Sequence, residues 1–192
     1  MFGIFNKKPD FEKIFSSQSE IYKYIYGDRG RTSAILGDNS FIDAWLSSRN
    51  IGNVTSVIND KALEGDIPSL KQMIWLCEAH FGDVENRTND ANQALMLKTK
   101  YMQDRVMFCQ RAIECGLIEQ SYYAMTSSAK LYLLRSNIPG SIDDQITRSA
   151  LAGIIKYANI FIKSGNQDKE LIDDAKSAIE HYGPLGKILG AI

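Results

Sequence analysis

The sequence predicts an all-α protein, from three observations. Apolar residues recur at steps of three and four along most of the chain, which places them on single helix faces. Short segments rich in glycine, asparagine or serine separate these patterns, and paired strand-like alternation is missing. We therefore predict one domain over residues 1–192 with about eight antiparallel helices, either an array of αα-hairpins or an irregular bundle.

The first helical pattern covers Asp10–Tyr26. The polar segment Ser16–Ser19 divides it into two shorter helices in one interpretation. Ile21–Tyr26 is rich in β-branched and aromatic residues, so a strand is the alternative there.

Capping and helix-breaking residues mark the next two predicted helices. Ser40 followed by Asp43 resembles a capped helix start, and this helix runs through Leu46. We expect Asn50–Asn53 to break that helix, and a following helix over Val54–Glu64 to end at Gly65.

The middle of the chain contains the longest helical pattern. Pro68 suits the first turn of a helix that we expect to end at Gly82. Residues 91–115 follow as one helix of roughly 40 Å, which Gly116 ends. A second apolar face over Tyr122–Arg135 predicts an antiparallel neighbour.

Two more helices complete the prediction. Ser141 with Asp144 can cap a helix to Lys163, whose middle is apolar nearly all round and is therefore expected to be buried on several sides. The last helix begins near Leu171, and we expect Gly183-Pro184 to end it.

Overall composition excludes several classes of protein. Hydrophobic residues make up 44% and charged residues 23%, as in an ordinary globular protein. Lys and Arg number 22 against 23 Asp and Glu, a balance that disfavours nucleic-acid binding. No apolar run approaches the length of a membrane span, so we expect no membrane partner.

The terminal segments and the cysteines bear on location. Met1–Phe5 is apolar but polar and basic residues follow at once, unlike a secretory signal. The tail Leu185–Ile192 has one charge, so it either folds back or docks on a partner. Cysteines at 77, 109 and 115 are odd in number and lie in helical patterns, so we expect reduced thiols and a cytoplasmic protein.

Catalytic and metal-binding patterns are weak. Cys77 and His80 are three residues apart, a spacing that can supply two zinc ligands, but a closed site needs two more. Cys109, Cys115 and His181 are poorly positioned to complete it. With two histidines in the chain and no nucleophile joined to a base, we predict no enzyme activity, no metal and no cofactor.

Three predicted helix ends look alike. They are Ala62-Leu63-Glu64-Gly65, Ala112-Ile113-Glu114-Cys115-Gly116, and Ala178-Ile179-Glu180 before Gly183. The first, followed by Asp66 and a helix with Leu70, resembles the Sel1-like branch of the tetratricopeptide-type repeats. This resemblance implies an αα superhelix that binds other proteins and has no catalytic residues. Capping alone also produces such endings.

Lys98 and Arg105 lie seven residues apart, so they share one face of the longest helix in the middle of its apolar stripe. Buried cations must pair or extend to water, or else line a groove. One interpretation is a partner-binding groove that also includes Tyr101 and Tyr122, because tyrosine and arginine are favoured at interface hot spots. The alternative is a helix whose apolar face shifts along its length.

The glycine-containing loop Gly27–Arg31 offers a different site. Arg29, Arg31 and Thr32 can hold a phosphate through guanidinium groups and backbone amides. The loop lacks the preceding strand and the Gly-Lys-Ser/Thr ending of a phosphate-binding loop, so an ordinary charged loop is the alternative.

We therefore predict a protein-binding protein without catalytic activity, in the form of an immunity or inhibitor protein that neutralises a bacterial toxin or enzyme. The same features fit an adaptor or assembly factor on a helical-repeat scaffold. A small enzyme or ligand binder that uses Arg29–Thr32 for phosphate is the alternative from another class.

Overall fold

The computed structural model describes residues 9–141 and 144–192, and the apolar segment Met1–Phe5 lies outside them. The described chain is all-α, as predicted, and contains no strand. Its ten helices are α1 Phe11–Ile14, α2 Gln18–Tyr26, α3 Thr32–Leu36, α4 Asn39–Ser47, α5 Ile51–Glu64, α6 Ile67–Arg87, α7 Ala91–Glu114, α8 Gln120–Ser136, α9 Gln145–Lys163 and α10 Lys169–Ile188.

The chain groups into two compact units, unit 1 over Met1–Gln72 and unit 2 over Met73–Ile192, with the division inside α6. A compact unit need not fold by itself, so the expectation of one domain stays a prediction.

Unit 1 is built from short helices around an aromatic cluster. Phe15, Phe41 and Trp45 are almost fully buried. The ring of Phe41 lies 5.7 Å from that of Phe15 and 6.2 Å from that of Trp45, and the rings of Phe11 and Tyr24 lie 6.0 and 6.1 Å from it. We name these five residues the aromatic cluster. Such edge and offset contacts add to the stabilisation from apolar burial.

Unit 2 consists of longer helices that pack on their neighbours in chain order. α8 packs against both α7 and α9, and α10 packs mainly on α9. α8 and α9 approach closely at Gly153, where an added Cβ would lie 2.7 Å from Oγ of Ser128. The nearly all-apolar α9 buries several side chains, including Leu151, Ile154 and Phe161, as its composition predicts.

Several predicted helix ends are confirmed. Ser17 caps α2 by accepting a hydrogen bond from the Glu20 N–H, so the serine-rich segment does divide the first pattern, and residues 21–26 are helix rather than strand. Gly65 and Gly116 end α5 and α7 with φ of 97° and 94°, values that favour glycine.

Other predicted boundaries are wrong. α6 continues past Gly82 to Arg87, because a solvent-exposed glycine costs a helix only about 1 kcal/mol and Asp83 binds Arg87 one turn later. α10 likewise continues through Gly183-Pro184 to Ile188. The start of α5 is Ile51, not Val54.

The other differences concern caps and short helices. Asp38, not Ser40, caps α4, because its carboxylate accepts the Ser40 N–H. α9 begins one turn later than the predicted Ser141–Asp144 cap, because Asp144 itself caps the helix by accepting the Thr147 N–H. α3 was not predicted, since its five residues are too few to show a helical period. The tail folds back in part, and the Ile192 side chain lies against Gly186.

Candidate functional site

Lys98, Tyr101 and Arg105 lie along the side of α7 that faces the second half of α6. Lys98 Nζ lies 2.5 Å from a carboxylate oxygen of Glu85, and Arg105 Nη1 lies 2.6 Å from one of Glu78. From Lys98 to Arg105 the chain runs forward along α7, while their partners run backward along α6 from Glu85 to Glu78, so the two helix segments are antiparallel. The structure thus brings three of the four predicted partner-binding residues to one helix contact.

Arg105 belongs to a group of polar contacts that joins three helices. Glu78 of α6 pairs with Arg105 through Oε2 and with Lys130 of α8 through Oε1, at 2.6 and 2.5 Å. Arg105 also donates to Oγ of Ser127, and its guanidinium lies 5.6 Å from the ring centre of Tyr123. We name Glu78, Arg105, Lys130, Ser127 and Tyr123 the Glu78 network.

The burial of Arg105 limits its use as a contact for a partner. Its exposed fraction is 7%, and its Nε has no hydrogen-bond partner in the described ranges. A buried cation is costly without a counter-charge, so Glu78 is needed to keep the guanidinium inside. Arg105 therefore holds helices together and offers little surface, contrary to the predicted groove.

Tyr101 lies in a second polar contact on the same side of α7. Its ring centre is 5.2 Å from that of His80. Nδ1 of His80 lies 2.7 Å from Nη1 of Arg87. The Nε–H of Arg87 donates to the Asp83 carboxylate, also at 2.7 Å. Burial, and then the charge of Arg87, lower the pKa of His80. A neutral imidazole that accepts the Arg87 N–H is thus favoured at neutral pH.

Tyr122 is not part of this arrangement. Its hydroxyl donates to Asp174 of α10 at 3.0 Å, and its ring centre lies 5.3 Å from that of Phe161 of α9. The next residue, Tyr123, is the one that meets Arg105. Side chains of adjacent helical residues point in directions that differ by about 100°. Tyr122 therefore contacts α9 and α10, whereas Tyr123 contacts Arg105 of α7.

Lys98 also lines a groove at one end of unit 2. The groove has a volume of about 380 Å³ and lies between the end of α6, the start of α7 and the end of α8. We name it the corner groove. Its lining residues are Glu85, Thr88, Asn89, Asp90, Ala91, Ala94, Leu95, Lys98 and Leu134.

Two exposed apolar side chains lie beside residues of the corner groove in sequence. Met96, which follows Leu95, is 73% exposed, and Leu133, which precedes Leu134, is 52% exposed. Neither side chain lines the groove, because adjacent residues of a helix point in directions about 100° apart. Single exposed residues of this kind are common, so the groove is described by its own lining residues.

The loop residues of the phosphate hypothesis do not converge. Thr32 is buried and its hydroxyl donates to the carbonyl oxygen of Ile25, so it is not available to a ligand. The Gly30 N–H is bound by the Asp28 carboxylate at 3.0 Å. Arg31 lines a separate depression in unit 1, whereas Arg29 is exposed outside it.

Metal ligands and reactive thiols are equally scarce. Within the described ranges no group of three or more His, Cys, Asp or Glu residues is arranged to hold a metal ion. Cys77, Cys109 and Cys115 are free, and burial raises the pKa of Cys77 and of Cys109 to about 12. These two thiols are therefore protonated and unreactive at neutral pH.

The chain matches no protein-family model, and no curated protein or solved structure is significantly similar to it. The resemblance to Sel1-like repeats therefore stays a prediction. Among the described helices, none has the length and apolar character needed to cross a membrane.

Sequence reasoning missed Glu78, Glu85 and Lys130. A usable signal was present, because Glu78 interrupts the apolar face formed by Ile74 and Phe81, as Arg105 interrupts that of α7. When an acidic and a basic residue lie on the facing apolar sides of two consecutive antiparallel helices, an ion pair between them is expected, because a buried charge needs a counter-charge.

Proposed function

We propose that this protein binds another protein without catalysing a reaction, and that the corner groove is the contact surface. The observation that carries the proposal is the groove itself, in which the apolar side chains of Ala94, Leu95 and Leu134 lie beside the Glu85–Lys98 ion pair. Covering these side chains would remove apolar surface from water, which is the main favourable term in protein association.

The groove chemistry indicates what the partner presents. Ala94, Leu95 and Leu134 form an apolar floor, while Lys98 and Glu85 form an ion pair at the edge. An aliphatic or aromatic side chain from the partner fits the floor, and polar groups fit the edge, as in interfaces with an apolar centre and a polar rim.

Within this class we propose an immunity or inhibitor protein that neutralises a bacterial toxin or enzyme by direct binding. An array of long antiparallel helices supports this, because it presents a rigid surface at low ordering cost. An adaptor or assembly factor uses the same kind of surface. We further propose a cytoplasmic location, which the three free thiols support.

Affinity capture from the native host with a groove variant and a matched control tests the proposal. Ala94→Arg places a long side chain in the groove, whereas Ala79→Arg makes the same change at an exposed position of α6 outside it. We expect the wild type and Ala79→Arg to retain one stoichiometric partner, and Ala94→Arg to lose at least about 90% of it, a tenfold effect.

Three results separate the parts of the proposal. If no stoichiometric partner is captured, the binding function is wrong. If Ala94→Arg retains the partner, the function stands and the surface is elsewhere. If the captured partner is harmless when it is produced alone in the host, the immunity role is wrong and the adaptor role is favoured.

A further inference from the structure

Unit 1 contains a further depression, between α1 and the segment that joins α4 to α5, apart from the one that Arg31 lines. Its volume is about 550 Å³, within the usual range of small-molecule sites. We infer that this α1–α4 depression binds a zwitterionic α-amino acid with an apolar side chain. The inference is independent of the corner groove, which belongs to unit 2.

The lining of the depression carries one charge of each sign. Among the described residues that line it, Glu12 of α1 and Arg49 after α4 are the only charged ones. Neither side chain forms an ion pair or hydrogen bond with another described residue, whereas Lys61 of the same unit pairs with Glu64. The two charges therefore balance each other over the depression without forming a pair. A ligand with one positive and one negative group complements both of them.

The segment Ser48–Asn50 suits the carboxylate of such a ligand. The guanidinium of Arg49 can bind a carboxylate through two parallel hydrogen bonds. Ser48 holds the segment in a turn, because its Oγ accepts the Asn50 N–H at 3.0 Å. α5 begins directly after Asn50, and the Asn50 side chain does not cap this helix of 14 residues. The positive end of the helix dipole therefore adds to the attraction that Arg49 exerts on an anion.

The α1 side of the depression suits the rest of the ligand. Glu12 supplies a carboxylate for the ammonium group. The ring of Phe11 is half-buried and stacks on that of Phe15, which is almost fully buried, with ring centres 5.4 Å apart. These rings and Ala44 form an apolar wall. A ligand that has an apolar side chain as well as both charges contacts this wall together with Glu12 and Arg49.

An amide NMR titration of the full chain with matched probes tests the inference. L-phenylalanine has the apolar group and both charges, 3-phenylpropanoate lacks the ammonium, phenethylamine lacks the carboxylate, and glycine lacks the apolar group. We expect phenylalanine to bind saturably, with a dissociation constant of about 1 mM or tighter, and to shift the amides of residues 11–15 and 44–51. Each of the other probes should bind at least about tenfold more weakly.

Charge-neutral variants give the second readout. Arg49→Gln should weaken phenylalanine about tenfold, to the affinity of phenethylamine, and Glu12→Gln should weaken it to the affinity of 3-phenylpropanoate. Glu12 and Arg49 are exposed, so both variants are expected to fold. Arg29→Gln and Glu20→Gln are the controls, because these exposed residues of unit 1 lie outside the depression.

The absence of saturable shifts in residues 11–15 and 44–51 up to about 20 mM phenylalanine would overturn the inference. It would also be overturned if any of the other probes bound as tightly as phenylalanine, since the two charges and the apolar group would then not be recognised together. Equal weakening by Arg29→Gln and Arg49→Gln, or by Glu20→Gln and Glu12→Gln, would likewise overturn it, because that result indicates general charge attraction.

Discussion

Unit 1 and unit 2 share a fold class but hold their helices together differently. In unit 1, short helices meet at the aromatic cluster, whose central ring Phe41 is fully buried. In unit 2, longer helices meet along apolar faces into which the Glu78 network inserts charged groups. Helical secondary structure therefore does not determine which interactions connect the helices.

The difference predicts two kinds of sensitivity to mutation. Removing a ring from the aromatic cluster leaves a cavity, so the decrease in the free energy of unfolding depends on the volume removed. Removing a charge from the Glu78 network leaves a buried ion without its partner. The decrease in the free energy of unfolding then depends on the desolvation of that ion rather than on volume. Substitutions of similar size can therefore separate the two units.

The largest effect is expected for Phe41→Ala in unit 1. The side chain is fully buried among four other rings. We expect the free energy of unfolding to fall by about 3–5 kcal/mol, measured by urea denaturation. Leu46→Ala on the same helix is the control, because Leu46 is 38% exposed and should cost less than about 1 kcal/mol. Equal losses for the two variants would contradict a core organised around Phe41.

A smaller effect is expected for Glu78→Gln in unit 2, which keeps the side-chain size and removes the charge. Arg105 would then be a buried cation without its counter-charge, at a cost of about 2 kcal/mol after allowing for the partial exposure of Glu78.

Glu85→Gln is the matched control for this variant, because the Glu85–Lys98 pair is exposed on the glutamate side. We expect it to change stability by no more than about 0.5 kcal/mol. If urea denaturation shows the same decrease in the free energy of unfolding for both variants, the Glu78 network contributes no more to stability than a surface ion pair does.

The smallest effect is expected at the α8–α9 connection, and it depends on pH. The Arg135 guanidinium, and then the Thr147 N–H, lower the pKa of Asp144 to about 2. Because this pKa is below the unfolded value near 3.9, the carboxylate stabilises the folded protein above about pH 4. That contribution is lost as the pH falls towards 2.

Asp144→Asn should therefore lower stability by about 0.5–1 kcal/mol at pH 7, since asparagine still caps the helix. The wild type and the variant should converge in urea denaturation between about pH 4 and pH 2. A difference that persists at pH 2 would show that Asp144 acts through something other than its charge.

The sequence predicted the long helices well because their apolar period extends over many turns. The predicted bounds of α7 agree with the structure to within a residue, and Gly116 ends this helix as predicted; the end of α9 at Lys163 is also as predicted. The failures were local breakers such as Gly82 and Pro184. In a long helix, the contacts on both sides of a breaker outweigh its local cost of a few kcal/mol or less.

Site prediction was less complete. The sequence indicates Lys98 and Arg105 as two charges on the apolar side of α7, but their partners Glu85 and Glu78 lie on another helix. Tyr122 was chosen where Tyr123 meets Arg105, because the sequence gives no exact rotation of α8. In the phosphate hypothesis, the hydroxyl of Thr32 is bound to Ile25, a contact that residue type alone does not reveal.

By itself the sequence determined the helical class, the longest helices and several of their ends. These properties depend on local periodicity, on capping groups and on glycine at positive φ, all of which are set within a few residues. Only the tertiary structure decided that Arg105 is enclosed with Glu78 and that Glu12 and Arg49 line one depression. Which residues meet across helices depends on rotation and packing, and those are fixed by the burial of many side chains at once.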